Sequence, residues 1–312
     1  MTHPAPAGAL DRRALARRLT QALEASAHQS LANFGEARHG YTPRIGITGA
    51  PGAGKSTLID QLALRRVERY DPVTGRIAVL AIDPSSPLSR GSILGDRIRM
   101  AKVAGDPRFY IRSVPSRRSQ DGLCDNVADL LLVLEGYRFD EILLETVGVG
   151  QAEYAVRNQV DTVVLIVPPN AGDTVQAMKA GIVEIADIIV INKSDLPEAD
   201  KTRLELSAII ERHAYAAADW QPRVLMVSAL AGTGIDELHD AIDAHQRWVR
   251  QTKSADQVRR ERARHHVESL LERSLRTHIS NAEANLFEQS LSEAFATLAK
   301  RLAADAGQAT NG

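Results

Sequence analysis

Residues 44–57 read RIGITGAPGAGKST, and residues 58–70 continue LIDQLALRRVERY. A short apolar run meets a glycine-rich turn, and the turn opens into an amphipathic stretch. Gly49 to Thr57 satisfies G-x-x-x-x-G-K-[ST], with the strand before it and the helix after it that give the pattern its meaning. Glycines let backbone N–H groups turn inward around phosphate oxygens without side-chain clash. The start of the following helix adds a partial positive charge beneath the anion. Gly49, Ala50, Pro51, Gly52, Ala53, Gly54, Lys55, Ser56 and Thr57 are therefore the expected phosphate contacts. Lys55 brings a full charge to the β- and γ-phosphates, and the Ser56 hydroxyl is placed to hold Mg²⁺.

Six further runs share the character of RIGIT: IAVLAI (77–82), FYIRS (109–113), EILLE (141–145), TVVLIV (162–167), IIVIN (188–192) and VLMV (224–227). Most are continuous and β-branched rather than alternating, as strands buried on both faces of a parallel sheet are. Helical stretches separate them. The expected fold is α/β: a P-loop NTPase with a mostly parallel, doubly wound sheet over residues 43–252. Residues 1–42 form an expected N-terminal helical extension, with a helical pattern from Ala9 to Ala37 and Asp11 as a cap. Residues 253–306 hold no strand candidate. Ala263, Val267, Leu270, Leu271 and Leu275 make one helical face; Phe287, Leu291, Ala294, Phe295, Leu298 and Leu302 make another, with a break near Ser280–Asn281. Two such helices cannot form a core alone, so they must pack on the α/β domain or on a partner's copy. Residues 307–312 are weak helix formers and are expected to be disordered.

A P-loop does not select a base. Asn192-Lys193-Ser194-Asp195 follows the run IIVI, at the strand end where open α/β sheets bind ligands. Asp195 can accept from guanine N1–H and from the exocyclic amine, whereas adenine offers neither donor there. An unmet buried carboxylate of that kind rejects the wrong ligand by about 10⁴-fold. The stem of Lys193 can lie over the purine, and a backbone N–H of Ser228-Ala229-Leu230 can donate to guanine O6. GTP is thus the expected ligand. Asp83 and Glu145 each end a strand on the nucleotide side, where a carboxylate can hold Mg²⁺ directly or through water. Gly148, three residues beyond Glu145, is placed to offer its N–H to the γ-phosphate, so that loss of this phosphate releases the loop. Asp96 reaches the metal only if the loop RGSILGDRIRM folds inward. The catalytic set expected on these grounds is Lys55, Asp83, Glu145 and Gly148.

Composition narrows the setting. Across 312 residues, Lys plus Arg is 38 and Asp plus Glu is 39, so no global basic excess recruits nucleic acid or anionic lipid. With 44% hydrophobic and 25% charged residues the chain is neither disordered nor fibrous. Its one cysteine, Cys124, excludes an internal disulfide and a cysteine-based metal cluster, which suits a reducing compartment. No apolar run approaches membrane-spanning length, and MTHPAPAGALDRR lacks the basic-then-apolar order of a secretory leader. A cytoplasmic location is expected. The arginines between Lys253 and Arg276 interleave with Glu261, Glu268 and Glu272 and lack aromatic stacking partners, so no nucleic-acid partner is expected.

GAPGAGKST, AIDPSSP, GSILGDRIRM, ETVGVGQAE and AGDTVQAMKAGIVEIADIIVINKSD together resemble the MeaB/ArgK-type GTPases, the relatives of the methylmalonic aciduria type A protein. The resemblance runs from the N-terminal helices through the C-terminal arm. It implies a homodimer joined through the C-terminal helices. It implies a G-protein chaperone that gates cofactor loading and protects an adenosylcobalamin-dependent acyl-CoA mutase, without itself binding cobalamin. By position, the family's metal network falls on Ser56, Asp83, Asp96 and Glu145. A third switch falls near Gln176 to Asp187, with Lys179 as a candidate signalling residue.

Three departures from the family pattern stand out: VPSRRSQDGLCDNVADLL with Arg117, Arg118 and Asp121; Arg97-Ile98; and Pro168-Pro169-Asn170. They leave open a sister mutase, such as one acting on 2-hydroxyisobutyryl-CoA or isobutyryl-CoA, as client in place of methylmalonyl-CoA mutase. No general base is evident, and Gln151 is three residues beyond Gly148, so slow intrinsic hydrolysis is expected, with Arg117 or Arg118 as candidate charge donors. The rival reading is a GTP-dependent metallochaperone for nickel enzymes, which needs soft or imidazole ligands. Cys124 alone and nine scattered histidines suit that poorly.

Overall fold

Seven apolar runs become seven parallel strands in the computed structural model: β1 (Arg44–Gly49), β2 (Ile77–Asp83), β3 (Phe109–Pro115), β4 (Glu141–Glu145), β5 (Thr162–Val167), β6 (Ile188–Asn192) and β7 (Arg223–Val227). They form one sheet in the order β3-β2-β4-β1-β5-β6-β7. The structure describes residues 10–83, 100–116, 123–147, 152–169, 185–216 and 218–310. Asp96, Arg97, Ile98, Arg117, Arg118, Asp121, Gly148, Gln151, Asn170, Gln176 and Lys179 lie outside them.

Most strand residues are apolar because both faces of the sheet are covered. Alternate side chains go to opposite sides. Ile45, Ile47, Val164, Ile166, Ile188 and Val190 share a core with Leu58, Ile59 and Leu62 of one helix and Leu238 and Ile242 of another. Leu165, Val167, Ile189 and Ile191 pack on the other face with Leu206 and Ile210. The described helices, numbered along the chain, are α1 (Arg12–Glu24), α2 (Ala27–Phe34), α3 (Lys55–Val67), α4 (Ala101–Ala104), α5 (Val127–Gly136), α6 (Ala152–Arg157), α7 (Ala199–Arg212), α8 (Ile235–Thr252), α9 (Ala255–Ser280) and α10 (Leu291–Thr310). Thus α3 and α8 cover one face and α7 the other. The chain builds outward from β1 in two directions, first to β2 and β3, then through β4 to β5, β6 and β7. The strand order reverses beside β1, and in a parallel sheet that reversal opens a crevice at the carboxyl ends.

The chain divides into two compact units. One is the sheet unit, Thr42–Cys124 with Arg138–Ala255. The other is helical and discontinuous: the residues before Thr42, the segment Asp125–Tyr137 and the residues from Asp256 onward. In the helical unit, α1 begins at Asp11, whose Oδ1 accepts the N–H groups of Arg13 and Ala14 at 3.1 and 2.9 Å. The helical pattern expected from Ala9 to Ala37 resolves into two helices. Ser26 breaks it by capping α2: its Oγ accepts the Gln29 N–H at 3.2 Å, while Gln29 Oε1 accepts the Ser26 N–H at 2.9 Å. That reciprocal pair satisfies two donors that a helix start leaves unpaired.

The buried helix α5 packs on α1. Just before it, Asn126 Nδ2 donates to Ala22 O and Ala25 O at 2.7 and 2.9 Å, which satisfies carbonyls at the end of α1. Asp129 is buried, yet its carboxyl is held below the usual range. Burial works against the charge, and His266 at 2.7 Å with Arg273 at 2.8 Å outweighs it. Helix α10 extends to Thr310, through part of the stretch from residue 307 expected to be disordered; Ala303, Ala304 and Ala306 just before that stretch and Ala309 within it are strong helix formers. On α9, Val267, Leu271, Leu275 and Ile279 repeat every fourth residue and stay exposed. On α10, Ala294 and Leu298 pack with Leu286, while Leu291 and Phe295 remain 91% and 75% exposed.

Candidate functional site

The P-loop grows directly out of β1. Gly49 has φ 140°, and a Cβ there would sit 2.1 Å from the Ile166 carbonyl oxygen on the neighbouring strand, so no other residue fits. Gly54 has φ 89° and precedes the first residue of α3; a Cβ there would lie 2.3 Å from Asn192 Nδ2. These two glycines let the loop turn tightly and let the strand β6 loop touch it. Lys55 opens α3 and is buried, its Nζ donating to Gly49 O at 2.8 Å and Ala50 O at 3.2 Å. The ammonium therefore already lies across the mouth of the loop. Ala53 is buried, while Pro51, Gly52 and Thr57 face solvent.

Ser56 Oγ donates to Glu145 Oε1 at 2.8 Å. A hydroxyl from the first turn of α3 and a carboxylate from the end of β4 are thereby brought to one point. Asp83 ends β2, the strand beside β4, two residues past the level where Ala81 faces Glu145. Hydroxyl and carboxylate oxygens are the donors a hard cation such as Mg²⁺ takes. Among the described residues no group of three or more His, Cys, Asp or Glu is placed to hold a metal ion.

The base loop is bound to the P-loop by side chains. Asn192 is buried at the end of β6; its Nδ2 donates to Ala53 O at 2.7 Å and its Oδ1 accepts the Ala229 N–H at 3.1 Å. Lys193, at φ 59°, sends Nζ to Gly52 O at 3.0 Å. Asp195 Oδ1 accepts from Ser228 Oγ at 2.6 Å. That hydrogen bond, then a backbone N–H and the Lys193 charge, hold the exposed Asp195 carboxyl below its ordinary range. Leu230 is 89% exposed at the rim. Phosphate loop, base loop and the residues 228–230 thus converge, and Ser56 meets Glu145 beside them.

Known proteins resemble the chain that carries this arrangement. The family described as methylmalonyl-CoA mutase-associated GTPase MeaB matches residues 15–284. The chain belongs to the MeaB family of GTPases. The GTPase ArgK of Escherichia coli is 36% identical over 249 residues, covering 77% of this chain and 72% of that protein. The mitochondrial methylmalonic aciduria type A homolog of Mus musculus is 39% identical over 227 residues, covering 72% of this chain and 53% of that longer protein. A crystal structure described as a LAO/AO transport system kinase superposes with a TM-score of 0.57 at 25% identity, covering 95% of this chain and 99% of that one. The sheet and its flanking helices are therefore those of P-loop GTPases, as the MeaB family implies.

Several residues around the site carried no motif. Asp60, on α3, accepts the N–H groups of Lys102 and Val103 at 3.3 and 3.0 Å and so caps α4, which follows residues 84–99. Thr146 Oγ1 donates to Thr48 Oγ1 at 2.8 Å, joining the residue after Glu145 to the strand that feeds the P-loop. An acidic residue set among apolar positions on the inner face of a helix, as Asp60 is between Ile59 and Leu62, is the signal that was available. Asn192→Ala removes both bonds between the two loops. Leaving Ala53 O and the Ala229 N–H unmet costs about 1–3 kcal/mol. Denaturant unfolding of the nucleotide-free chain reads that loss, and an unchanged midpoint would show that the carboxamide does not hold the loops.

Proposed function

We propose that this GTPase binds Mg²⁺–GTP across the P-loop and the Asn192–Asp195 loop and acts as a homodimeric chaperone of an adenosylcobalamin-dependent acyl-CoA mutase. The observation that carries the nucleotide reading is the Asn192 bridge from Ala53 to Ala229, which ties the loop bearing Asp195 to the phosphate loop and supports guanine selection by that carboxylate. In this reading backbone N–H groups of residues 49–57 surround the phosphates and Lys55 exchanges its loop carbonyls for the β- and γ-phosphates. Asp195 accepts from guanine N1–H and the exocyclic amine, its low proton affinity keeping it charged for that task. Ser56, Glu145 and Asp83 are the oxygen donors that fit Mg²⁺, with Asp96 assigned to the same set from sequence, and the bound ion supplies charge to the transferring phosphoryl group. Gly148 takes the γ-phosphate, so hydrolysis frees the segment that follows β4.

The mutase assignment rests on membership of a family described by its association with methylmalonyl-CoA mutase. A sister mutase is equally compatible with the departures at Arg117, Arg118 and Pro168–Asn170. The homodimer is supported by the exposed stripe Val267, Leu271, Leu275 and Ile279 on α9, a face that a second copy can cover. A cytoplasmic setting agrees with the single cysteine, and no described helix is long and apolar enough to cross a membrane.

Three outcomes test this. Asp195→Asn reverses one donor–acceptor pair: GTP affinity falls by about two orders of magnitude or more, while affinity for xanthosine triphosphate, which carries an oxygen in place of the amine, rises. Calorimetry showing tighter uptake of ATP than GTP by the unaltered chain would overturn the reading. The isolated chain turns over GTP more slowly than about 1 s⁻¹ and accelerates on adding the client from a panel of cobalamin mutases; turnover above that rate without a client contradicts it. Light scattering gives a mass of two chains, and the Leu271→Glu, Leu275→Glu double variant gives one; a single-chain mass for the unaltered protein removes the dimer.

A further inference from the structure

Strand β4 has a glutamate at each end, Glu141 and Glu145, and both are buried. Four residues apart on a strand, they point to the same side and stand about 13 Å apart. Leu143 between them lies in the core that contains Leu58, Ile59 and Leu62, so that side is the one α3 covers. Helix α3 answers with two polar side chains of its own. Ser56, in its first turn, reaches Glu145; Arg66, in its last turn, reaches Glu141. Ten residues apart on a helix is about 15 Å. The spacings match, so helix and strand are fastened at both ends.

The far fastening is the stronger one geometrically. Arg66 and Glu141 are fully buried, and the guanidinium meets both carboxylate oxygens, Nε to Oε1 at 2.5 Å and Nη2 to Oε2 at 2.6 Å. Tyr70 Oη donates to Glu141 Oε2 at 3.1 Å, and Gln246 Nε2 stands 3.5 Å from it. Arg66 Nη1 turns to Asp243 Oδ1 at 3.0 Å on α8. Glu141's charge with Asp243's holds the Arg66 proton firmly against burial, and burial followed by the same Glu141 charge pushes the Tyr70 hydroxyl up. A buried pair of this kind is no more stabilising than apolar residues of equal volume, because desolvation offsets the attraction. Its distinguishing property is geometric: apolar surfaces slide, whereas a two-pronged fork fits one register.

We infer that Arg66 and Glu141 are positioning residues for GTP hydrolysis: they fix the axial register of α3 on β4 and so the placement of Ser56 against Glu145. This deepens the Mg²⁺–GTP reading and rests on it. A shift of α3 by a fraction of a turn carries the Ser56 hydroxyl away from the carboxylate with which it would share the cation. Metal dependence is then the property that suffers, before nucleotide binding and before the fold.

The test uses the full chain, a fluorescent GDP analogue and GTP, with Mg²⁺ titrated from zero. Arg66→Met with Glu141→Met keeps volume and removes the fork; Glu141→Asp keeps the charge, shortens the arm and serves where the double variant does not fold. The expected result is a folded protein whose GDP-analogue affinity in chelator is unchanged, with a Mg²⁺ midpoint for hydrolysis raised about 10–100-fold. A Mg²⁺ midpoint equal to that of the unaltered chain in a folded variant overturns the inference and leaves the metal reading intact. If Ser56→Ala also leaves the midpoint unmoved, the metal reading itself fails and takes the inference with it.

Discussion

The carboxamide of Asn192 is the interaction on which the site depends. It has one donor group and one acceptor, and it spends them on two different loops, Ala53 O and the Ala229 N–H. A parallel sheet brings the carboxyl ends of β1, β6 and β7 to one edge, but strand geometry alone leaves the loops beyond them free to separate. The carboxamide removes that freedom. It also explains why residue 54 is glycine: a Cβ would occupy the place of Nδ2. Backbone conformation at Gly54 and side-chain chemistry at Asn192, 138 positions later in the chain, are therefore one constraint. Ser228 extends it by holding Asp195, so phosphate loop, base loop and the residues after β7 form a single preorganised surface.

The sheet was legible in the sequence because short β-branched runs between helical stretches have few other uses. A short, β-branched and almost wholly apolar run such as TVVLIV suits a strand covered on both faces better than a helix, and all seven runs appear at or within two residues of their expected ends. The P-loop and base loop were legible because local chemistry dictates them: glycines where the backbone must bend, a lysine and a hydroxyl at a helix start. Other features were written in pairs far apart. Arg66 with Glu141 spans 75 positions and Thr48 with Thr146 spans 98, and no local pattern announces either. The place of the break between α1 and α2 is written locally: Ser26-Ala27-His28-Gln29 is a capping box, although leucines repeat on either side of it. Leucine spacing reports that a face is apolar, not that the helix beneath it is continuous.

Helix α3 collects these long-range pairs. Its first residue spans the loop, Ser56 meets Glu145, Asp60 caps α4, and Arg66 grips Glu141. Two of these partners adjoin segments that the proposed switch would use: Glu145 lies three residues before Gly148, and α4 follows residues 84–99. A helix fastened in this way cannot respond to the γ-phosphate by drifting along the sheet. If GTP binds as proposed, the free energy of phosphate contact appears beyond the strand ends rather than in the scaffold, because packed elements with polar fasteners have few alternative registers. That is the physical requirement for a switch that a partner protein can read: a fixed frame against which a small change at the phosphate becomes a change in the surface beyond the strand ends.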